Sequence, residues 1–283
     1  MRILITGADG MLGKDLVSEF SKRGHNVLGT DRTMLDITNR DEVMWYVENH
    51  KPEVIINSAA YNFVDNVEDD QLYPIALAVN GKGPGHLAEA AKEHGAEFVH
   101  YSSDYVFSGE NPEGYKEDDP ISPISRYGET KAAGEVAVQE VGGDYKILRV
   151  SKLFGEPGSS EESKESFVQL MLRLADRLPE LKIVHEEVGS PTYAPDLAVV
   201  TADMLEGDYA SGIYHPVNDG NGVTWYEFAE EVFGLKNIDT PRTPVTSAEF
   251  PKPASRPKFA ALLNTKLDPL PHRHDALKRF LTS

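Results

Sequence analysis

Cysteine is absent from all 283 residues, which excludes a disulfide framework and any thiolate metal site. A cytoplasmic enzyme needs neither, and that location is the expectation. Long apolar runs are missing too. No stretch approaches the roughly 18 residues of a membrane span, so a soluble protein without a membrane partner is expected. The N-terminal Met1-Arg2-Ile3-Leu4-Ile5-Thr6 reaches a glycine after only about four apolar residues, too few for the apolar region of a secretion signal. Positive charge is scarce: 28 Lys+Arg stand against 46 Asp+Glu, a formal net charge of -18. Such a surface repels nucleic acid. A small anionic substrate is still allowed, because a few local cations and backbone donors override the overall field.

What is present reads as an ordinary globular protein, 40% hydrophobic and 26% charged. The length suits one large α/β unit, or a nucleotide-binding domain with a smaller partner. Short apolar runs alternate with helix-like segments through the first half. Strands are expected at Arg2–Thr6, Asn26–Thr30, Val54–Asn57, Glu97–Tyr101 and Tyr145–Val150. Helices are expected at Leu12–Arg23, Asp41–Asn49, Ile75–His94 and Tyr127–Glu140. That order implies parallel pairing with crossover helices, a doubly wound Rossmann-type sheet over residues 1–150.

Beyond about residue 150 the rhythm weakens. Gly155–Glu165 reads as a loop and Phe167–Arg177 as a helix. Five prolines between Pro241 and Pro257 rule out a central strand or helix interior there. Residues 151–283 are therefore expected to form mainly a smaller, loop-rich substrate-binding lobe, with about 183–206 returning to the Rossmann domain. No internal repeat and no low-complexity tract interrupts this organisation.

Gly7-Ala8-Asp9-Gly10-Met11-Leu12-Gly13 leaves the first strand and opens the first helix. Its glycines suit a tight turn, close approach of backbone to a pyrophosphate, and close packing of helix on sheet. The phosphates would lie on free N–H groups at the helix N-terminus, where the dipole favours anions. Asp31-Arg32 ends the second strand roughly 20 residues on, where an acidic residue binds ribose hydroxyls. Asp31 favours NAD and Arg32 the 2′-phosphate of NADP, and the choice stays open.

Tyr127-Gly128-Glu129-Thr130-Lys131 puts a phenol and an amine on one helix face, about one turn apart. A phenol near pKa 10 becomes a poised proton donor if a neighbouring cation lowers it, and Lys131 is placed to do so. The pair alone is common on surface helices. A second segment strengthens it: Phe98-Val99-His100-Tyr101-Ser102-Ser103 runs off a strand into a polar turn, on the edge of a parallel sheet that faces ligand. Ser103 there can hydrogen-bond a substrate oxygen while Tyr127 supplies the proton.

With glycine run, serine turn and Tyr/Lys helix in this order, the chain resembles the extended short-chain dehydrogenase/reductase superfamily. Within it the chain is similar to the dTDP-4-dehydrorhamnose reductase family, which makes dTDP-L-rhamnose for cell-surface polysaccharide from a 4-keto precursor. The likeness covers essentially the whole chain. It includes Leu35-Asp36-Ile37-Thr38, Asn57-Ser58-Ala59-Ala60-Tyr61, Val79-Asn80, Gly189-Ser190-Pro191-Thr192 and Ala254-Ser255-Arg256-Pro257. The resemblance implies NAD(P)H-dependent reduction of a nucleotide-linked 4-ketosugar, with Ser103, Tyr127 and Lys131 as the catalytic set. It places Asp36 and Ile37 near the adenine, and Ala59, Ala60, Tyr61 and Asn80 along the cofactor. Asp104, Tyr105 and Lys152 would meet the sugar, and Arg256 the diphosphate, which suits a planar guanidinium.

Two departures bear on the sugar. Arg149-Val150-Ser151-Lys152 stands where the family often has Arg-Thr-Ser-Trp, and Glu186-Glu187 where it usually has Asp-Gln. Two other activities share the fold. A nucleotide-sugar epimerase needs only a keto intermediate that can turn over in the pocket. A non-catalytic NADP-binding subunit, resembling the β subunit of methionine adenosyltransferase, would contact a partner enzyme instead. Dehydration fits less well, because Asp104 is followed by Tyr105 and not by a second carboxylate. Asp15 and Glu19 share a helix face, but solvated carboxylates account for them and no metal is expected. Members of the superfamily are often homodimers, though no interface is legible here.

Overall fold

Alternating apolar and amphipathic segments fold into the expected repeat. The computed structural model describes residues 1–160 and 163–282. The chain begins β1 (Arg2–Thr6), α1 (Met11–Lys22), β2 (Asn26–Thr30), α2 (Arg40–His50) and β3 (Val54–Asn57). It continues through α3 (Tyr73–Leu77), α4 (Gly83–His94), β4 (Glu97–Ser103), α5 (Arg126–Val141) and β5 (Tyr145–Val150). Next come β6 (Leu153–Phe154), α6 (Phe167–Arg177), β7 (Leu181–Val184), β8 (Thr192–Tyr193), α7 (Ala194–Glu206) and β9 (Gly212–Tyr214). The last elements are β10 (Asn218–Asp219), α8 (Trp225–Lys236), β11 (Arg242–Val245), β12 (Leu270–His272) and α9 (Arg273–Thr282).

Six parallel strands pair in the order β2-β1-β3-β4-β5-β9. A parallel sheet is buried on both faces, and its strands alternate between two cores. Ile3, Ile5, Val99 and Tyr101 face α1 and α7, where Leu16, Phe20 and Leu197 meet them. Leu4, Ile55 and Phe98 face the other way, onto Val47 of α2, Leu87 of α4 and Val138 of α5. Strand order reverses beside β1, so a crevice opens at the carboxyl ends of β1 and β3, the usual ligand position in such sheets.

A third core belongs to the smaller lobe, where Phe154, Phe228, Val232, Leu277 and Phe280 pack together. Its sheets are two-stranded pairs: β6 with β8, β7 with β11, and β10 with β12. Pro244 is tolerated within β11 because that strand pairs with β7 alone. Helix α7 and strand β9 pack back on the Rossmann sheet, from within the second half of the chain. Residues 161 and 162, inside the expected 155–165 loop, lie outside the described residues.

The helix expected over Ile75–His94 is broken into α3 and α4 by a π-helical turn at Ala78–Lys82. Two causes are visible. Pro84 has no N–H to continue an α-helical ladder. The Asn80 carboxamide is pulled out of register: it accepts from Tyr61 N (2.8 Å) and donates to Tyr61 O (3.0 Å) and Thr130 Oγ1 (3.1 Å).

Arg149 in β5 is fully buried against Glu135 of α5, with Nε–Oε1 at 2.9 Å and Nη2–Oε2 at 2.7 Å. Its Nη1 donates to the Glu117 carbonyl at 3.1 Å, and the guanidinium lies 4.9 Å from the Phe107 ring centre. Removing one member strands a buried charge. Arg149→Ala is expected to lower the urea-unfolding free energy by about 3–5 kcal/mol, and Arg149→Met with Glu135→Leu by much less. Equal losses in the two variants would contradict this account.

Candidate active site

The glycine turn between β1 and α1 is shaped by close approach. Gly7 has φ 69°, and a Cβ there would lie 2.7 Å from the Ala59 backbone. A Cβ at Gly13 would run into the Gly7 carbonyl, so the helix packs directly on the turn. Gly10 begins α1 with no side-chain cap, and no acidic residue occupies the first turn. Open N–H groups at an uncapped helix start fit a pyrophosphate. The Asp9 carbonyl accepts from Ser160 N at 3.3 Å, and Lys14 Nζ donates to the Pro157 carbonyl at 2.9 Å. These bonds lay the loop after β6 over the turn.

At the end of β2 the Asp31 carboxylate accepts from Thr33 Oγ1 (2.7 Å), Thr33 N (2.7 Å) and Met34 N (3.0 Å), which hold it below the usual carboxylate range. Arg32 beside it is exposed. Burial works to raise Asp36, but bonds from Thr38 Oγ1 and N outweigh it and keep the carboxyl low. Ile37 is buried against α4, in the core rather than in an open pocket. Ala59 N donates to Asn57 Oδ1 at 3.2 Å, and Tyr61 is held by Asn80 as described. Asn80 thus reaches the crevice through the backbone it holds; its own amide is committed.

A cavity of about 490 Å3 opens next to the turn. Of the residues singled out from sequence, it gathers Gly10, Met11, Leu12, Gly13, Ala60, Ser103, Asp104, Tyr105, Tyr127, Lys131, Lys152 and Arg256. Gly7, Asp9, Asp31, Arg32, Asp36, Ile37, Ala59, Tyr61 and Asn80 do not line it.

Ser103 is the last residue of β4, and its Oγ accepts from Tyr105 N (3.2 Å) while donating to Asp104 Oδ1 (2.9 Å). The other Asp104 oxygen accepts from Ser151 Oγ at 2.5 Å, and burial raises this carboxyl. Helix α5 starts at a Ser125 cap, whose Oγ accepts from Gly128 N at 3.2 Å. That start sets Tyr127 and Lys131 one turn apart on the buried face. A Cβ at Gly128 would strike the Tyr105 carbonyl, so glycine lets the two tyrosine rings meet edge to face at 5.3 Å. The Tyr127 hydroxyl donates to Asn62 Oδ1 at 3.3 Å. Lys131 Nζ donates to the Tyr101 carbonyl at 2.7 Å, and burial pushes its amine down to about 8.

The phenol departs from the expectation of a lowered pKa. Burial and the Asp104 carboxylate push Tyr127 well above its ordinary value, against a smaller opposing interaction with Ser103. Lys131 is turned to a carbonyl, so desolvation decides the result.

Lys152 stands in left-handed backbone, φ 43°. Its Nζ donates to the carbonyls of Glu187 (2.7 Å) and Val223 (2.8 Å). Burial lowers it to about 7, against the pull of Asp104, Glu187 and Glu227. Arg256 binds Asp65 through both arms, at 3.0 and 2.8 Å, and donates to the Ala254 carbonyl at 2.8 Å. Glu19 is paired with Arg23 at 2.8 Å. Asp15 is raised to about 6 by burial, and among the described residues no group of three His, Asp or Glu side chains is arranged to hold a metal ion.

The cavity also holds Asn62, Lys164 and Trp225, which sequence reasoning passed over. Lys164 lies 4.0 Å from the Phe63 ring centre, and Trp225 opens α8 behind a Thr224 capping box. Only the capping box left a trace in the sequence, and it marks a helix start, not a ligand site.

Comparison with known proteins agrees with this geometry. Residues 1–282 match the family model described as RmlD substrate binding domain. A dTDP-4-dehydrorhamnose reductase of Streptomyces griseus is 40% identical over 98% of this chain and 91% of its own length. The crystal structure of a dTDP-4-dehydrorhamnose reductase ortholog from Clostridium acetobutylicum superposes with a TM-score of 0.92 at 40% identity, covering 100% of this chain and 99% of that one. The enzyme from Bacillus anthracis, solved in complex with NADP, gives a TM-score of 0.92 at 36% identity, covering 99% and 98%. No described helix is long and apolar enough to cross a membrane. A full-length match of this kind, on a Rossmann sheet with these side chains at its carboxyl edge, means that the chain belongs to the RmlD substrate binding domain family.

Proposed function

We propose that this protein reduces the 4-keto group of a nucleotide-linked 6-deoxyhexose, converting dTDP-4-dehydro-L-rhamnose to dTDP-L-rhamnose with NADPH. One observation carries the reading: Ser103, Tyr127 and Lys131 converge in a single cavity that continues into the glycine turn. The names of the relatives and the NADP held by the Bacillus anthracis enzyme support the same substrate and cofactor. Held at the glycine turn, NADPH would supply the hydride that C4 of the sugar accepts.

The chain's own groups do the rest. Tyr127, neutral because it is buried, gives its phenolic proton to the sugar O4 as negative charge develops there. Ser103 Oγ turns its proton from Asp104 to the same oxygen and polarises the carbonyl. Lys131, buried one turn below the phenol, opposes the charge left on the Tyr127 oxygen and holds the ribose of the cofactor. The uncapped start of α1 takes the cofactor pyrophosphate and Arg256 the substrate diphosphate, which would compete with Asp65. Asp31 and Arg32 flank the adenosine ribose, with Asp36, Ala59, Ala60 and Tyr61 beside the cofactor, while the Ile37 side chain stays in the core behind them. The absence of cysteine suits a cytoplasmic location, and the superfamily resemblance implies a homodimer, testable by sedimentation.

Tyr127→Phe is expected to lower kcat for sugar-dependent NADPH oxidation by about 100-fold or more, with NADPH binding nearly intact. Wild-type turnover in that variant would remove the phenol from the mechanism. A second measurement concerns the phenol itself. Because its pKa is raised, Tyr127 stays protonated through the range in which free tyrosine ionises, near pKa 10. Phenolate absorbance of the unliganded protein up to about pH 11 should therefore be the same in wild type and Tyr127→Phe. A missing step near pH 10 in the variant would show that burial does not govern the group.

A further inference from the structure

Tyr127 has to release its proton toward the sugar, yet its hydroxyl is already bonded: it donates to Asn62 Oδ1 at 3.3 Å. The backbone at Asn62 is held on both sides. Tyr61 before it is pinned through N and O by the Asn80 carboxamide. The Asn62 carbonyl accepts from Val64 N at 3.1 Å and from Lys164 Nζ at 3.4 Å. Phe63 packs on the Lys164 ammonium, and Asp65 is tied to Arg256. The side chain is free by comparison. Asn62 is exposed, and among the described residues its carboxamide is bonded to the phenol alone. A fixed backbone under an otherwise unbonded carboxamide makes a partner that can turn over in place.

A carboxamide presents an acceptor at one end and two N–H donors at the other. Before proton transfer the phenol needs an acceptor, and afterwards the phenolate needs a donor. The neighbouring donors have other work. Ser103 has one hydroxyl proton, which it gives to Asp104 and, during reduction, to the sugar oxygen. Lys131 Nζ is bonded to the Tyr101 carbonyl, and the Asp104 carboxylate opposes a second anion beside it. A hydrogen bond to a charged group is about twice as strong as one between neutral groups. The donor end of Asn62 is therefore worth more to the phenolate than its acceptor end is to the phenol.

We propose that Asn62 is a further catalytic residue, whose Oδ1 holds the Tyr127 proton before substrate arrives and whose Nδ2–H then turns to the phenolate. The inference rests on the reductase reading above. In the step itself the hydride pair goes to C4 and the carbonyl π pair to O4. The Tyr127 O–H bond breaks, its electron pair stays on the phenolate oxygen, and the proton goes to O4. Asn62 neither gains nor loses a proton.

A ring-fluorinated tyrosine at position 127 titrates lower than tyrosine, and fluorine NMR reads its ionisation in the protein without ligand. Asn62→Ala is expected to raise that pKa by about one pH unit, the worth of one hydrogen bond to a charged group. A partner that only accepts predicts the opposite sign, because its removal destabilises the neutral phenol. The charged groups around the phenol are the same in both proteins: Asp104, Lys131, Lys152, Lys164, Glu187 and Arg256. In sugar-dependent NADPH oxidation, Asn62→Ala should lose about tenfold in kcat with KM within about twofold. Asn62→Asp keeps the shape and the acceptor but has no donor, and should lose more. A pKa unchanged or lowered in Asn62→Ala overturns the proposal, and so does wild-type kcat in Asn62→Asp. If the pKa rises but wild type does not oxidise NADPH with the ketosugar, the reductase reading falls and the phenolate contact stands.

Discussion

A buried carboxylate joins the two halves of this protein. Asp104 follows the last residue of β4 and accepts a hydrogen bond from the Ser103 hydroxyl on one oxygen and from the Ser151 hydroxyl on the other. Ser151 in turn accepts from Ser190 N at 3.0 Å, and Ser190 exchanges bonds with Leu262 in the loop that carries Arg256. A carboxylate removed from water is costly unless its lone pairs are satisfied. The cost is met by segments far apart in the chain, so the placement of the site depends on all of them. Ser103 and Lys152 owe their placement to this knot, one on each side of it.

The charge distribution follows a similar logic. The molecule is strongly acidic overall, yet Lys131, Lys152, Lys164 and Arg256 all line the cavity. Only Asp104 and Glu187 oppose them among its lining carboxylates. A cleft with an excess of cationic side chains within an acidic surface favours small anions inside it, while extended polyanions meet repulsion outside. This accounts physically for a nucleotide-sized ligand in a strongly acidic protein.

The central sheet was legible because burial on both faces writes itself into contiguous apolar runs. β1 and β3 lie at the bounds that those runs imply, as do β5 and the less buried edge strand β2 at their expected bounds. The smaller lobe was less legible, since β6, β8 and β10 are only two residues long and pair across large separations. The break after α3 was hidden because a side-chain amide, bonded to a loop almost twenty positions away, overrides local helix propensity. In the site, Ser103, Tyr127 and Lys131 could be read from strand end and helix spacing. Trp225, Asn62 and Lys164 could not, because each is a single residue whose meaning is only spatial. The raised phenol of Tyr127 escaped for a similar reason: spacing gives the nearest cation but not the depth of burial.

Gly13, Gly128 and Gly134 share a property that concerns how such a chain drifts. At each, a Cβ would collide with a backbone carbonyl: that of Gly7, of Tyr105 and of Asn80. These carbonyls belong to the glycine turn, the serine turn and the π-helical turn, so the gaps set how closely α1 and α5 approach the crevice. In a library of all single substitutions, alanine at these positions should be tolerated less than many changes to polar residues lining the cavity. At these three positions the missing Cβ is as much a requirement of the site as a reacting group is.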